Sequence, residues 1–197
     1  MIITCASFKG GVGKTTSAVH FATSLQTLAP TMLVDGDPNR SASSWARHGR
    51  LPFTVIDERQ AARHARSYEH IVIDTKARPD EEDLKALADG CDLLVIPTTP
   101  DALALDALML TIKALRVLGA DRYRVLITMS PPKPSRDGED ARALLSEAGL
   151  PLFAQSIRRL VAFQKAALQG LPVSQVNDPR AAEAWIDYES AGKEFAL

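Results

Sequence analysis

The sequence predicts an α/β fold, a mostly parallel twisted sheet with helices on both faces, and three observations carry that expectation. Short apolar runs alternate along the whole chain with longer stretches of helical spacing. The runs are near-continuous in Val, Ile, Leu and Met, as strands buried on both faces require. The first run passes through a glycine-rich loop straight into a helical stretch, which is how a βαβ unit begins.

Residues 1–7 read as a buried strand and 14–28 as a helix, with Ala18, Phe21, Ala22 and Leu25 at helical spacing before Pro30 ends the unit. Residues 31–34 form a second strand, stopped by Asp35-Gly36-Asp37-Pro38. Helix 41–48, strand 53–56, helix 61–67 and strand 70–74 follow, then a polar helix over 81–89. Strand 92–97, a long helix over 104–118 and strand 124–129 complete a six-strand series. A Pro-rich turn leads to helix 141–148 and a short strand over 151–154. No linker or repeat divides the chain, so residues 1–197 are expected to form one domain, with no helix-turn-helix domain ahead of the glycine loop.

Composition narrows the function. Hydrophobic residues are 46% and charged residues 24%, with a formal net charge of −1, so any nucleic-acid binding must come from a local basic patch. Cys5 and Cys91 have neither metal-ligand spacing nor a disulfide framework and read as small core residues. The N-terminus lacks a basic signal-peptide region and no stretch approaches a membrane span, so a cytoplasmic protein is expected.

The loop Phe8-Lys9-Gly10-Gly11-Val12-Gly13-Lys14-Thr15-Thr16 carries the chemistry. Between a strand and a helix, such glycines let backbone N–H groups surround phosphate oxygens, and the helix start points its positive end there. Lys14 is expected to neutralise β/γ-phosphate charge, Thr15 to ligate Mg²⁺ and Thr16 to bond the α-phosphate. Asp74, ending the apolar strand Ile71-Val72-Ile73, is expected to reach Mg²⁺ through water. No guanine-reading Asn/Thr-Lys-x-Asp motif is present, which favours ATP over GTP.

A usual phosphate loop has glycine at position 8, but this one has Phe8 followed by a lysine. The pattern Lys9-Gly10-Gly11-Val12-Gly13-Lys14-Thr15-Thr16 resembles the deviant Walker A box of the ParA/MinD superfamily of P-loop ATPases. Without a DNA-binding domain in front, the chain is similar to the short ParA type, which includes ParF-like plasmid partition proteins and McdA-like positioning ATPases. The resemblance implies that Lys9 reaches the nucleotide of a second subunit in an ATP-bound homodimer. It implies that Asp37 positions the attacking water and helps hold the Mg²⁺ shell, with Asp35 supporting the metal or the loop. Asn39 replaces the family's usual glutamine, and Lys76 replaces a usual proline, leaving it either solvated or sensing the γ-phosphate or a partner. Thr98 and Thr99 would line the dimer face. Met129, Pro131 and Pro132 would flank the adenine, with the loop 173–177 closing its other side.

The same resemblance implies a cargo-positioning switch that binds DNA without sequence preference and answers to a ParB-like or McdB-like activating adaptor, in nucleoid-associated form. Segregation of plasmid or chromosome DNA is the leading expectation, and positioning of a protein cargo the alternative. Arg158, Arg159, Lys165 and Arg180 are the candidate DNA contacts, with Arg158 and Lys165 on one face if residues 156–165 are helical. A MinD-like membrane switch is disfavoured because the C-terminal stretch mixes Glu183, Asp187, Glu189 and Glu194 with its apolar residues. A P-loop metabolic ligase is disfavoured by Lys9 and by the short chain.

Overall fold

A computed structural model describes residues 1–196. Six strands, β1 (Ile2–Ser7), β2 (Thr31–Gly36), β3 (Thr54–Asp57), β4 (His70–Ala77), β5 (Leu93–Thr98) and β6 (Tyr123–Ile127), form one sheet in the order β3-β2-β4-β1-β5-β6. Every registered pair is parallel. Such a sheet needs both faces covered, and the helices do this in two groups. On one face α1 (Lys14–Gln26), α2 (Ser41–Ala46), α7 (Val161–Gln169) and α8 (Ala181–Lys193) enclose Ile3, Phe21, Leu33, Val72 and Tyr188. On the other, α4 (Glu81–Asp89), α5 (Ala102–Val117) and α6 (Asp137–Glu147) cover Ala6, Leu94, Ile96 and Val125, while α3 (Glu58–His64) shields Met32, Val34 and Ile56. None of the described helices is long and apolar enough to cross a membrane.

The departures from sequence expectation have local causes. Helix α3 begins at Glu58 rather than at 61 because Asp57 caps it, its carboxylate accepting from the Arg59 N–H at 2.9 Å. Helix α6 starts four residues early, its first turn carrying Asp137, Glu139 and Asp140. Residues 151–154 are not a regular strand; they touch β6 through a single bridge between Val125 and Leu152. Residues 156–165 are not one helix. Ile157 N–H donates to Ile127 O at 2.8 Å, so the segment runs extended beside the end of β6, and α7 begins only at Val161. The shared helix face expected for Arg158 and Lys165 therefore does not exist.

Candidate nucleotide site

The carboxyl ends of β1, β2 and β4 lie side by side, with Cys5 and Asp35 both in register with Asp74. The loop after β1 thus emerges beside the acidic ends of its neighbours. Gly11 and Gly13 take φ of 76° and 83°, a region that a side chain disfavours, which turns the loop back over the start of α1. Thr128, past the end of β6, clamps the loop from below, its hydroxyl donating to Val12 O at 2.9 Å and lying 3.1 Å from Thr98 O. Sequence reasoning missed Thr128, whose only signal is a polar residue ending an apolar strand.

Lys14 is buried, and Thr15 Oγ1 donates to Asp74 Oδ2 at 2.6 Å. Asp74 is fully buried, and its Oδ1 has no hydrogen-bond partner. Burial pushes its carboxyl up to about 7, against the opposing pull of the Thr15 hydroxyl and Lys14. An orphaned carboxylate oxygen next to a threonine hydroxyl suits Mg²⁺, which takes few protein ligands and keeps its water shell. No cluster of at least three His, Cys, Asp or Glu occurs among the described residues, so no protein-only metal cage is present.

The second acidic pair divides its duties. Asp35, fully buried, accepts from Ser43 N–H at 2.8 Å, Ser43 Oγ at 2.6 Å and Asp37 N–H at 3.2 Å, so it organises the loop between β2 and α2. Asp37 lies on the wall of the phosphate cleft with Lys14 and Thr15, and its Oδ1 accepts from Asn39 N–H at 2.9 Å and Asn39 Nδ2 at 3.1 Å. Lys76 is part-exposed and is not aimed at the cleft: its ammonium pairs at the surface with Asp83 of α4.

Lys9 points away from its own phosphate cleft. Its Nζ donates to Asp101 Oδ1 at 2.8 Å, and that carboxylate also caps α5 through the Ala104 N–H at 3.0 Å and receives the Thr99 hydroxyl. The Lys9 ammonium and the Thr99 hydroxyl hold Asp101 well below the usual carboxylate range, at about 2. The pair lines an open cleft of about 390 Å³ with Pro100, Met129, Pro131 and Arg159. Thr98 is buried beneath it.

A mostly apolar pocket of about 280 Å³ adjoins Gly13 and Thr16 and is lined by Met129, Ile157, Leu160, Phe163 and Ala167, with Arg158, Arg159 and Gln164 also on its wall. Met129, at φ 52°, lines this pocket and the two clefts beside it. Pro131 and Pro132 do not line the pocket itself; they line neighbouring cavities. The loop 173–177 does not close it either, since Val173 is fully buried and its N–H donates to His20 Nε2 at 3.0 Å. Helix α7 supplies that wall instead.

The basic residues are mostly spent within the fold. Arg158 donates from Nη2 to Asp187 at 2.7 Å and from Nη1 to Glu183 at 2.8 Å, and Asp187 is fully buried. Lys165 pairs with Asp178 at 2.7 Å and Arg180 with Glu183 at 3.0 Å. Arg159 takes no part in the ion pairs among the described residues and faces the open cleft beside Lys9.

His20 ties α1 to the rest of this region. It is fully buried, its Nδ1 donates to Thr16 O at 2.7 Å, and its ring stacks on Tyr188 at 4.8 Å. Burial lowers its pKa from 6.5 to about 4. The neutral ring is the folded form, so its contribution is complete above pH 6.5 and is lost as pH falls toward 4, by roughly 3 kcal/mol. Asp74 works in the opposite sense over the same range, because its raised pKa favours the folded state at low pH. Urea unfolding of wild type and His20→Gln at pH 7 and pH 4.5 separates the two. The variant is expected to be less stable at pH 7, with most of that deficit gone at pH 4.5. A deficit equal at both values contradicts the assignment.

Comparison with known proteins agrees with this geometry. Residues 3–173 match the CobQ/CobB/MinD/ParA nucleotide binding domain family. The chain is 35% identical to the maintenance of carboxysome distribution protein A of Gloeobacter kilaueensis, over 98% of this chain and 93% of that one. It is 29% identical to the protein ParA of Rhizobium radiobacter, over 77% and 75% of the two chains. Among solved structures, an ATP complex of an aspartate-to-alanine variant of Cyanothece McdA superposes with a TM-score of 0.80 at 17% identity, covering 100% of this chain and 96% of that one. A Borrelia burgdorferi plasmid partition protein bound to AMPPNP does so with a TM-score of 0.76 at 20% identity, covering 99% and 98%. With the phosphate loop, the Thr15–Asp74 pair and the all-parallel sheet, these likenesses make the chain a member of the ParA/MinD family of deviant Walker A P-loop ATPases.

Proposed function

We propose that the chain is a Mg-ATP-dependent switch that hydrolyses ATP within a nucleotide-sandwich homodimer and positions a cargo along DNA. The observation that carries this is the division of the two loop lysines. Lys14 is buried in its own phosphate cleft, whereas Lys9 is held outside it on Asp101, at an open edge. A second subunit meeting that edge would receive Lys9 at its nucleotide, much as an arginine finger completes other phosphoryl-transfer sites. Lys14 and the loop N–H groups would bind the phosphates, and Thr15 and Asp74 would hold Mg²⁺, which when bound would supply positive charge to the transferring phosphoryl group. Asp37 orients a water toward the γ-phosphorus. The bond to the ADP oxygen breaks as the new P–O bond forms, releasing ADP and phosphate.

The favoured cargo is a protein body of the carboxysome kind, with a McdB-like adaptor, rather than the plasmid or chromosome DNA that the motifs alone put first. What supports this is the 35% identity across nearly the full length of both chains. Partition with a ParB-like adaptor is the second reading and rests on the 29% identity to ParA. Deleting the gene in its host discriminates them. Mispositioned protein bodies with normal plasmid inheritance support the first reading; plasmid loss with normal bodies overturns it.

On this reading the DNA contact centres on Arg159, which is exposed and makes no ion pair among the described residues, while Arg158 is a structural cation and Arg180 and Lys165 are partly neutralised. Arg159→Glu is expected to weaken ATP-dependent duplex binding equally across sequences and to lower the salt slope by about one counterion. Unchanged binding contradicts this. Arg158→Glu is expected to lower folding stability instead, because it leaves Asp187 buried without its cation.

A further inference from the structure

We propose that the outer face of α5 is a self-association surface on which a second copy of this chain docks antiparallel. The helix buries Leu108, Ile112 and Leu115 against the sheet and leaves Leu103, Leu110 and Val117 outside, 74%, 62% and 81% exposed. Those three recur at the heptad interval, so one straight apolar stripe runs the length of the 16-residue helix. A solvated helix face carries polar residues at such positions, whereas a continuous stripe is what one helix offers to another.

The flanks of the stripe identify the occupant and its direction. One flank is Ala107 and Ala114, small enough for two backbones to approach closely. The other carries Asp106 in the first half of the helix and Lys113 and Arg116 in the second, all exposed. None of the three takes part in the ion pairs among the described residues. A two-fold axis beside Leu110 reverses the helix direction and keeps like flanks on the same side. Leu103 then meets Val117 of the second copy, and Leu110 meets itself. Asp106 falls within about 3 Å along the axis of both Lys113 and Arg116 of the second copy, at a helical rise of about 1.5 Å per residue. A parallel pair would set the charged flank against the alanines and leave every charge unmet. The pattern is self-complementary only in the antiparallel sense, and a uniformly acidic or basic foreign helix would match half of it.

One helix face of this length is smaller than the roughly 800 Å² per partner of a stable interface, so the contact is weak and concentration-dependent. It is centred about 13 Å along α5 from Asp101, with only Leu103 at its near end adjoining the edge that holds Lys9. Where both surfaces operate, each copy has two contacts and assembly can continue beyond a dimer. The inference itself does not depend on nucleotide binding.

Single-cysteine crosslinking of the full chain tests it, since the native Cys5 and Cys91 are buried and stay silent. Under mild oxidation Leu110→Cys is expected to form a disulfide dimer, with or without Mg-ATP. Leu103→Cys alone is expected not to, because its two copies lie about 21 Å apart along the axis. A mixture of Leu103→Cys and Val117→Cys is expected to crosslink. Adding Asp106→Lys to Leu110→Cys should reduce its dimer several-fold, and further adding Lys113→Asp and Arg116→Asp should restore it. A Leu110→Cys protein that stays monomeric through a concentration series, or crosslinks no better than Leu103→Cys, overturns the proposal. So does a charge reversal that leaves crosslinking unchanged.

Discussion

Lys14→Ala is expected to lower the affinity for Mg-ATP a hundredfold or more, measured by calorimetry with a non-hydrolysable analogue. The Lys14 side chain is buried at the start of α1 and lines the phosphate cleft with Gly10, Gly11 and Gly13. Each charge-assisted contact to phosphate is worth about 1.5–3 kcal/mol, and two such contacts account for the predicted loss. The variant also removes the cation that helps keep Asp74 ionised, so the Mg²⁺ contribution should weaken with it. Because alanine is a good helix former, α1 should remain intact, and unchanged circular dichroism is the control. Affinity retained to within a few-fold contradicts the phosphate-loop assignment.

Asp37→Ala is expected to lower hydrolysis about 10²–10⁴-fold, the usual contribution of a group that orients or deprotonates the attacking water, while ATP binding persists. The expected product is a long-lived ATP-bound dimer, visible by light scattering. The substitution also deletes the acceptor for Asn39, so a changed turn could mimic a chemical effect. Asp37→Asn separates the two causes. Its amide oxygen still accepts from Asn39 N–H, but it carries no charge. Equal loss in both variants assigns the effect to the carboxylate, whereas normal hydrolysis in Asp37→Asn removes Asp37 from the chemistry.

The parts of this molecule legible in the sequence are those written contiguously. The loop from Gly10 to Thr16 declares its conformation through glycines, and its place between strand and helix fixes its use. Asp74 was readable because it ends an apolar run. Its hydrogen bond to Thr15 follows once β1 and β4 are neighbours, an adjacency of non-consecutive strands that the alternation alone does not reveal. Other features join distant segments of the chain. The Lys9–Asp101 pair spans 92 positions, and no local pattern reveals that a helix cap doubles as the resting place of a lysine. The pocket beside Gly13 combines Met129 with Ile157, Leu160 and Phe163, from a stretch whose extended-then-helical path depends on pairing with β6. For the same reason Arg158 reads as part of a basic face, although in the fold it neutralises a buried aspartate of α8. Charge along a sequence counts side chains but does not show which of them are already paired.

The central claim is that each site is completed by Lys9 of a second subunit, and mixing two inactive variants tests it most directly. Lys9→Ala keeps its own Lys14 and Asp37 but supplies no lysine across the interface. Asp37→Ala supplies Lys9 but lacks the group that orients water at its own site. In a heterodimer, the site of the Lys9→Ala subunit holds its own Asp37 and receives Lys9 from the other subunit, so it alone is complete. An equimolar mixture should recover about a quarter of wild-type turnover, since half the dimers are mixed and each has one working site. If Lys9 acts within its own subunit, neither site of the heterodimer is complete. The mixture then stays as inactive as its components, and the sandwich-dimer account fails.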